Sequence, residues 1–447
     1  MNNSLPLAQN LRALLGEGDL RGDPMTARQL QTATAMSQPS ISLALAQLGS
    51  DVCKLGAARS TRYALTQPIL GLAAQQAITY TTTSGTIQTW GTLTYLRSGQ
   101  VHVRSVQGGD WLGQSGELPW FLQPLRPQGF LGRQLTRLRP DFPTDPDRWT
   151  VEQVLYMAIN HAVDPPGALN LGERLGRLMN EVPVAFEQRP SHYDMLALAV
   201  TKMLPAHSSA GGEQLKFITE TPFNPHPAEH HHFIVKFTPP RGTPFGERWH
   251  DLLHLEQLAL QVLSEHGVAV AATRILESNQ RTYLESQRFD RIGVEGKRHV
   301  IAAASVHDAF VKSPRRHWVA TCQALAAQKL LSAAHVKEVA SIYLFGQYIG
   351  NTDMHFCNLS FFVDDLKTPV FISTPVYDML PMMWRPGVHG GELEPAALRA
   401  QPQPGGFEVE AGQARAWAAV FWRRASQLGT ISPTLRDASA ANAALLT

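Results

Sequence analysis

Leu7, Leu11, Leu14 and Leu15 recur at helical spacing and stop at Gly16, so the chain opens with an amphipathic helix. Thr26 and Gln29 then make a capping-box pair, in which each side chain satisfies the other's exposed amide, and predict a second helix that turns near Met36. Ser37 is a good N-cap for a third, with Ile41, Leu45 and Leu48 on one face and Pro39 tolerated in the first turn. Residues 52–55 and 61–65 read as two strands around the loop Gly56-Ala57-Ala58-Arg59-Ser60. Helix, helix-turn-helix and β-ribbon is the order of a winged helix, bounded here at residues 1–67.

Residues 68–190 change to a two-residue period. Residues 87–96 and 101–106 alternate around Ser98-Gly99, a hairpin signal. Residues 119–133 read as a Pro/Gly/aromatic loop, and helices are expected over 151–162 and 172–178. From 191 onward a helix at 194–203, a small-residue loop, an apolar strand at 233–237, a helix at 248–264 and a strand at 282–284 follow in turn. Beyond His307 the pattern is mainly helical, broken by a loop and short strands between Asn351 and Asp378. The Ala- and Ser-rich tail after about Arg436 is expected to fray.

Composition narrows the function classes. The 447 residues suffice for two or three domains, and 44% hydrophobic with 17% charged residues is a globular balance. A net charge of +2 gives no global basic field, so any nucleic-acid or phosphate contact must come from a local patch. Cys53, Cys322 and Cys357 are too scattered for a disulfide framework or a paired zinc signature, which fits a reducing compartment. No secretory leader is evident in the first fifteen residues, and no run approaches the roughly 18 apolar residues of a membrane span. The expected address is cytoplasmic, with no membrane partner.

The sharpest chemistry lies in Ile349-Gly350-Asn351-Thr352-Asp353-Met354-His355-Phe356-Cys357-Asn358-Leu359. An apolar helix ends at Gly350, a polar loop follows, and an apolar strand begins at Leu359. Asp353 and Asn358 have the spacing of a kinase catalytic loop, in which the carboxylate accepts the substrate hydroxyl's proton and the amide oxygen holds magnesium. Asp378, after Tyr377, supplies a second oxygen ligand suited to that hard cation. The bland alternative is that Asp353 and Asn358 only cap a turn. Lys236, inside Phe233-Ile234-Val235-Lys236-Phe237, would reach ATP phosphates, oriented by Glu256 on the following helix; the alternative is a surface salt bridge. Ser208-Ser209-Ala210-Gly211-Gly212-Glu213-Gln214-Leu215-Lys216 is a small-residue loop whose amides could approach phosphate, or a plain surface loop.

Taken in order, these segments, with Arg288-Phe289-Asp290-Arg291 and Tyr377-Asp378, resemble the HipA-like serine/threonine kinases, toxins of bacterial persistence modules. With the winged helix in front, the chain is similar to the solitary YjjJ (HipH) branch of that family. The resemblance implies an α+β chain: winged helix at 1–67, a β-rich subdomain at 68–190, and a two-lobed kinase-like domain at 191–447 whose largely helical C-lobe begins near 293. It implies ATP and Mg2+ as cofactors, Asp353 as catalytic base, and Asn358 and Asp378 as metal ligands. It places Lys236 on ATP phosphates, residues Gln287, Arg288 and Phe289 at the adenine hinge, and His355 in the catalytic loop beside the nucleotide as an orienting residue. Ser208 to Lys216 become the phosphate loop, with Ser208 to Gln214 on the nucleotide, Ser208 at the position of the family's autophosphorylated serine and Ser209 beside it. Phosphate there would repel the nucleotide and push the loop out. An aminoacyl-tRNA synthetase is the family's best-known type of protein substrate, and a separate antitoxin its usual partner. A small-molecule phosphotransferase and a nucleotide-sensing transcription regulator are the competing readings.

The head carries Gln38, Ser40 and Ser42 as candidates for groove contacts, and Lys54, Arg59 and Arg62 as a basic wing for DNA phosphates. Winged helices also serve as protein-binding modules. His226, His230, His231 and His232 cannot share one face of a strand, so the run is read as a solvated strand entrance and not as a metal site.

Overall fold

The computed structural model describes residues 4–17, 22–161, 164–172, 184–202, 214–222, 230–387, 394–399 and 403–446. They divide into two compact units, one built from residues 1–82, 87–128 and 135–178, the other from 83–86, 129–134 and 179–447. Residues 173–183, which hold most of the helix expected over 172–178, lie outside the described residues, as do 208–213 of the expected phosphate loop.

The first unit opens with α1 (Ser4–Glu17), β1 (Met25–Thr26), α2 (Ala27–Thr34), α3 (Gln38–Leu48), β2 (Val52–Leu55) and β3 (Arg62–Leu65). The capping box at Thr26 is complete, and Ser37 caps α3 through its hydroxyl. Leu7, Leu11, Leu15, Leu30, Ile41 and Leu45 close into one core with Leu65, which is why three individually marginal helices hold. Sheet order β1-β3-β2 completes a winged helix. The strand β1 was not expected; two residues carry no periodic signal.

A five-stranded antiparallel sheet follows, in the order β7-β6-β5-β4-β8. It is made of β4 (Gln75–Thr81), β5 (Ile87–Tyr95), β6 (Val101–Ser105), β7 (Asp110–Leu112) and, after two helices, β8 (Leu169–Leu171). Residues 119–133 are not a plain loop: a 3-10 turn spans Trp120–Leu125 and α4 spans Gly129–Leu135. Phe121, Leu122 and Leu125 are buried, so tertiary packing overrides the Pro and Gly signals. Helix α5 (Val151–Asn160) has the capping box Thr150–Gln153.

The second unit has an antiparallel N-lobe sheet in the order β11-β12-β10-β9. Its pieces are α6 (Arg189–Lys202), β9 (Lys216–Pro222), β10 (His230–Phe237), α7 (Pro244–Glu265), β11 (Thr273–Glu277) and β12 (Thr282–Gln287). Glu285 of β12 accepts from the Arg189 guanidinium at 3.0 Å and the Tyr193 hydroxyl at 2.6 Å, all three buried, which pins α6 to the sheet. His232 is buried and its Nε2 lies 3.2 Å from the Val294 carbonyl, so the histidine run is not a wholly solvated entrance. Alternation along β10 puts this ring on the face that carries Lys236, opposite Phe233, Val235 and Phe237.

Small strands β13 (Arg291–Ile292), β14 (Gly296–Lys297) and β15 (Val300–Ala302) lead to the helices α8 (Ala303–Phe310), α9 (Trp318–Ala327) and α10 (Ala333–Tyr348). After the hairpin β16 (Ser360–Phe362) and β17 (Ile372–Ser373) come α11 (Glu408–Gln427) and α12 (Pro433–Leu446). The tail therefore does not fray: α12 buries Leu435, Ser439 and Asn442. Its alanines, which lack a strong apolar stripe, suit close packing on α11, whose Phe421 and Trp422 are fully buried. Among the described residues no helix is long and apolar enough to cross a membrane.

Candidate active site

Lys236 stands on β10, and Glu256 points toward it from α7. The ammonium donates to both Glu256 carboxylate oxygens, at 2.5 and 2.7 Å, and also contacts the Asp378 carboxylate. Lys236 and Glu256 are only 4% and 1% exposed, which overturns the surface salt-bridge alternative. Burial opposes the lysine's charge, yet the two carboxylates outweigh it and raise its pKa. Burial likewise pushes the Glu256 carboxyl up, against the pull of Lys236 and with a further push from Asp378. For Asp378 burial also acts upward, but Lys236 and Lys216 outweigh it and hold this carboxyl down to about 2.

Lys216, the last residue of the small-residue loop, faces Lys236 directly across the β9–β10 ladder. Like charges opposite each other repel unless anions lie between or beside them. Here Asp378 and Glu256 supply that balance.

The catalytic-loop segment follows α10, whose apolar face is buried. Gly350 takes a φ of +72°, open to glycine but strained for other residues, and a Cβ on Gly346 would collide with Met354 Sδ. In the loop the Asp353 backbone N–H donates to Asn351 Oδ1 at 3.0 Å, and Asn358 Nδ2 donates to the Asp353 carbonyl at 2.9 Å. The amide nitrogen of Asn358 is thereby committed, which leaves its oxygen as the end able to ligate a cation. His355 accepts the Cys357 N–H on Nδ1, 3.2 Å away, so Nε2 carries the proton and lies 3.9 Å from the Asp353 carboxylate. Trp318 Nε1 donates to the His355 carbonyl at 3.1 Å and anchors the loop to α9.

The same loop is tied to the segment bearing Asp378. Tyr377 donates its hydroxyl to the Cys357 carbonyl at 2.8 Å and sits 2.7 Å from Ser360 Oγ. Asn351 Nδ2 lies 3.4 Å from the Asp378 carbonyl. Asn351 and Tyr377 carry no role in the sequence reading, although both stand inside the motifs; their signal was position alone. Asp378 has a φ of +53°, a left-handed conformation that Asp and Asn tolerate better than most residues.

Of the expected hinge residues, Phe289 packs against this segment, and Gln287 and Arg288 lie against β10. Gln287 ends β12 opposite Phe233, and Arg288 N–H donates to the His232 carbonyl at 2.8 Å. Phe289 packs on Tyr377 and Phe362, with ring centroids 5.5 and 5.7 Å away. The Arg288 and Arg291 guanidinium groups are buried against Asp290, at 3.1 and 2.7 Å. Gln214 is half-buried just before β9. Beside the catalytic loop a cavity of about 880 Å³ is lined by Asn351, Asp353, His355, Met383, Arg385 and Leu398.

In the head, Gln38 and Ser42 are exposed on α3, as are Lys54 on β2 and Arg62 on β3. The Ser40 hydroxyl is 2.9 Å from that of Ser37 and belongs to the helix cap. The Arg59 side chain lies outside the described residues.

Two family descriptions match the chain: a HipA-like C-terminal domain over residues 208–440, and the middle domain of YjjJ-like toxins over 72–179. Toxin YjjJ of Escherichia coli K12 is 32% identical over 428 residues, covering 92% of this chain and 93% of that protein. The Shewanella oneidensis MR-1 HipA, solved with HipB and operator DNA, superposes with a TM-score of 0.53 at 17% identity, over 80% of this chain and 94% of its own. The Helicobacter pylori proinflammatory kinase CtkA gives 0.35 at 11% identity, over 52% and 92%.

Proposed function

This chain belongs to the HipA-like family, in its YjjJ-like toxin branch, and from that premise we propose that it is an ATP- and magnesium-dependent serine/threonine protein kinase with a DNA-binding head. The observation that carries the reading is the buried Lys236–Glu256 pair, joined to Asp378 and through its segment to the Asp353–Asn358 loop. Lys236 and Lys216 hold the ATP phosphates, and Phe289 lines the adenine side. Asp353 receives the proton of the acceptor hydroxyl as it attacks. The residues fit a hard divalent cation: the partly exposed Asp378 carboxyl is held low by Lys236 and Lys216, and Asn358 keeps its amide oxygen for a ligand. Magnesium bound there would neutralise charge on the transferring phosphoryl group.

The division into residues 1–67, 68–190 and 191–447, with the N-lobe ending near 292, is part of this proposal. So are a protein substrate, of which an aminoacyl-tRNA synthetase is one candidate type, an antitoxin partner, and Ser208 or Ser209 as a self-phosphorylation site. The test is incubation with γ-labelled ATP and magnesium, wild type beside Asp378→Asn, with mass-spectrometric mapping of the label. Asn suits the left-handed backbone at 378, so the variant should fold and lose transfer by at least about a hundredfold. Equal labelling in the two proteins would remove Asp378 from the site. Label on a metabolite and not on protein would favour a small-molecule phosphotransferase, for which the cavity beside Asp353 has room.

Lys54 and Arg62, both exposed on the wing, support DNA binding by the head. In a gel shift with the chain's own promoter, Arg59→Ala/Arg62→Ala should bind several-fold more weakly, and the difference should shrink with added salt. Unchanged binding removes the wing from the contact surface.

A further inference from the structure

We propose that His250, His254 and Glu277 form a binding site for a divalent transition metal, zinc by the class of its donors, on the side of α7 away from the nucleotide. His250 and His254 are one turn apart on α7 and therefore share a face. Glu277 closes β11 beside them, and the three ligand atoms all lie within 4.8 Å of one another. His254 Nε2 is 3.2 Å from Glu277 Oε1, and His250 Nδ1 is 4.0 Å from the same oxygen. Tetrahedral zinc, with bonds of about 2.0–2.1 Å, sets its donor atoms roughly 3.3 Å apart. One of the three pairs is at that spacing already, and the other two, both within 4.8 Å, need only side-chain adjustment.

The surroundings orient the donors as a metal site requires. His250 Nε2 lies 2.9 Å from the Thr430 carbonyl, which can only accept, so the proton sits on Nε2 and the lone pair on Nδ1. Thr282 Oγ1, at 2.7 Å, is the donor that a cation would displace from that lone pair. His254 turns Nδ1 to the Thr430 hydroxyl at 3.3 Å, which leaves Nε2 toward Glu277. Arg241 stands 3.5 Å from Glu277 Oε2, and Oε1 faces the imidazoles. Both histidines are buried while the Glu277 side chain is 43% exposed, so an entry path exists from solvent.

The site is separate from the phosphoryl-transfer centre. Residues 254 and 256 are two positions apart, about 200° around a helix, so His254 and Glu256 point to opposite sides of α7. The metal would join α7 and β11 to the turn at Thr430 that precedes α12. The donor set of two imidazoles and one carboxylate, with a fourth position open, selects zinc over magnesium or calcium.

The experiment uses the full chain freed of metal, titrated with Zn2+ against a chromophoric chelator, beside His254→Ala and Glu277→Gln. Glu277→Gln keeps the shape and a hydrogen-bonding oxygen, so its fold is not in question. All three proteins retain the histidines at 226 and 230–232, and metal taken by that run is common to them. The expected result is one more tightly held equivalent in the wild type, at least about tenfold weaker in either variant. A zinc-dependent rise in melting temperature should appear in the wild type alone. Equal stoichiometry and affinity in the three proteins, or no binding by the wild type, overturns the site and leaves these side chains as a hydrogen-bonded staple.

Discussion

Asp353→Asn is expected to lower phosphoryl transfer by about a hundred- to ten-thousandfold, the range removed with a general base. Folding should survive, because the structural bonds of this residue run through its backbone: its N–H donates to Asn351 and its carbonyl accepts from Asn358. The carboxylate is 45% exposed and, among the described residues, is paired with His355 alone, at 3.9 Å. A loss of rate with an unchanged melting temperature and unchanged ATP affinity would therefore report chemistry and not collapse. Retained transfer would assign the proton acceptor elsewhere. A transcription regulator that only senses nucleotide would keep its biological effect in this variant, whereas a kinase would lose it.

Lys236→Met should remove both activity and stability. Losing the phosphate contact and the link to Glu256 should reduce transfer by at least about a hundredfold. It also leaves two carboxylates facing each other without their cation. Breaking a buried ion pair by removing one partner destabilises by about 3–5 kcal/mol, and Lys236 and Glu256 are both almost fully enclosed. Adding Glu256→Leu to Lys236→Met should restore much of the stability, because a buried pair replaced by apolar side chains is often neutral. Denaturant melts of the two variants and the wild type measure this; a Lys236→Met protein as stable as the wild type would show that the cluster is not enclosed.

The pH dependence follows from the direction of each shift. The Lys236 pKa is raised, so its stabilising share is complete below its ordinary 10.5 and is lost only as pH climbs through the higher folded value. The Asp378 carboxyl is lowered, so its share is complete above its ordinary 3.8 and is lost as pH falls from there through about 2. Glu256 is raised and works the other way, adding stability below its ordinary 4.5 and losing it as pH rises through the folded value. The stability gap between wild type and Lys236→Met should thus be wide near about pH 7 and narrow near about pH 3, where Asp378 is discharging.

Much of this was legible in the chain. Helices α1 to α3, the hairpin of β5 and β6, and the helix bearing Glu256 follow from spacing and caps, which are local. The candidate loop stood out because two oxygen-bearing residues with four others between them, flanked by a glycine-ended helix and an apolar strand, form a local pattern. Elements without a local signal were missed or misread. The strand β1 has two residues, the 3-10 turn at Trp120–Leu125 sits in a Pro-rich stretch, and α12 is mostly small residues. Each exists because a neighbouring surface takes up what the segment cannot bury alone.

By itself the amino-acid sequence determined the family, the order of most of the elements and the side chains that are candidates for phosphoryl transfer, because caps, periodicity and short motifs act over a few neighbours. Only the tertiary structure decided that Lys236 and Glu256 are enclosed, that neighbouring lysines hold the Asp378 carboxyl down to about 2, and that Asn351 and Tyr377 tie the two halves of the site together. It alone brought His250 and His254 to Glu277 and Thr430. Such contacts join residues far apart in the chain, and charge state depends on burial and on neighbours that linear order does not specify.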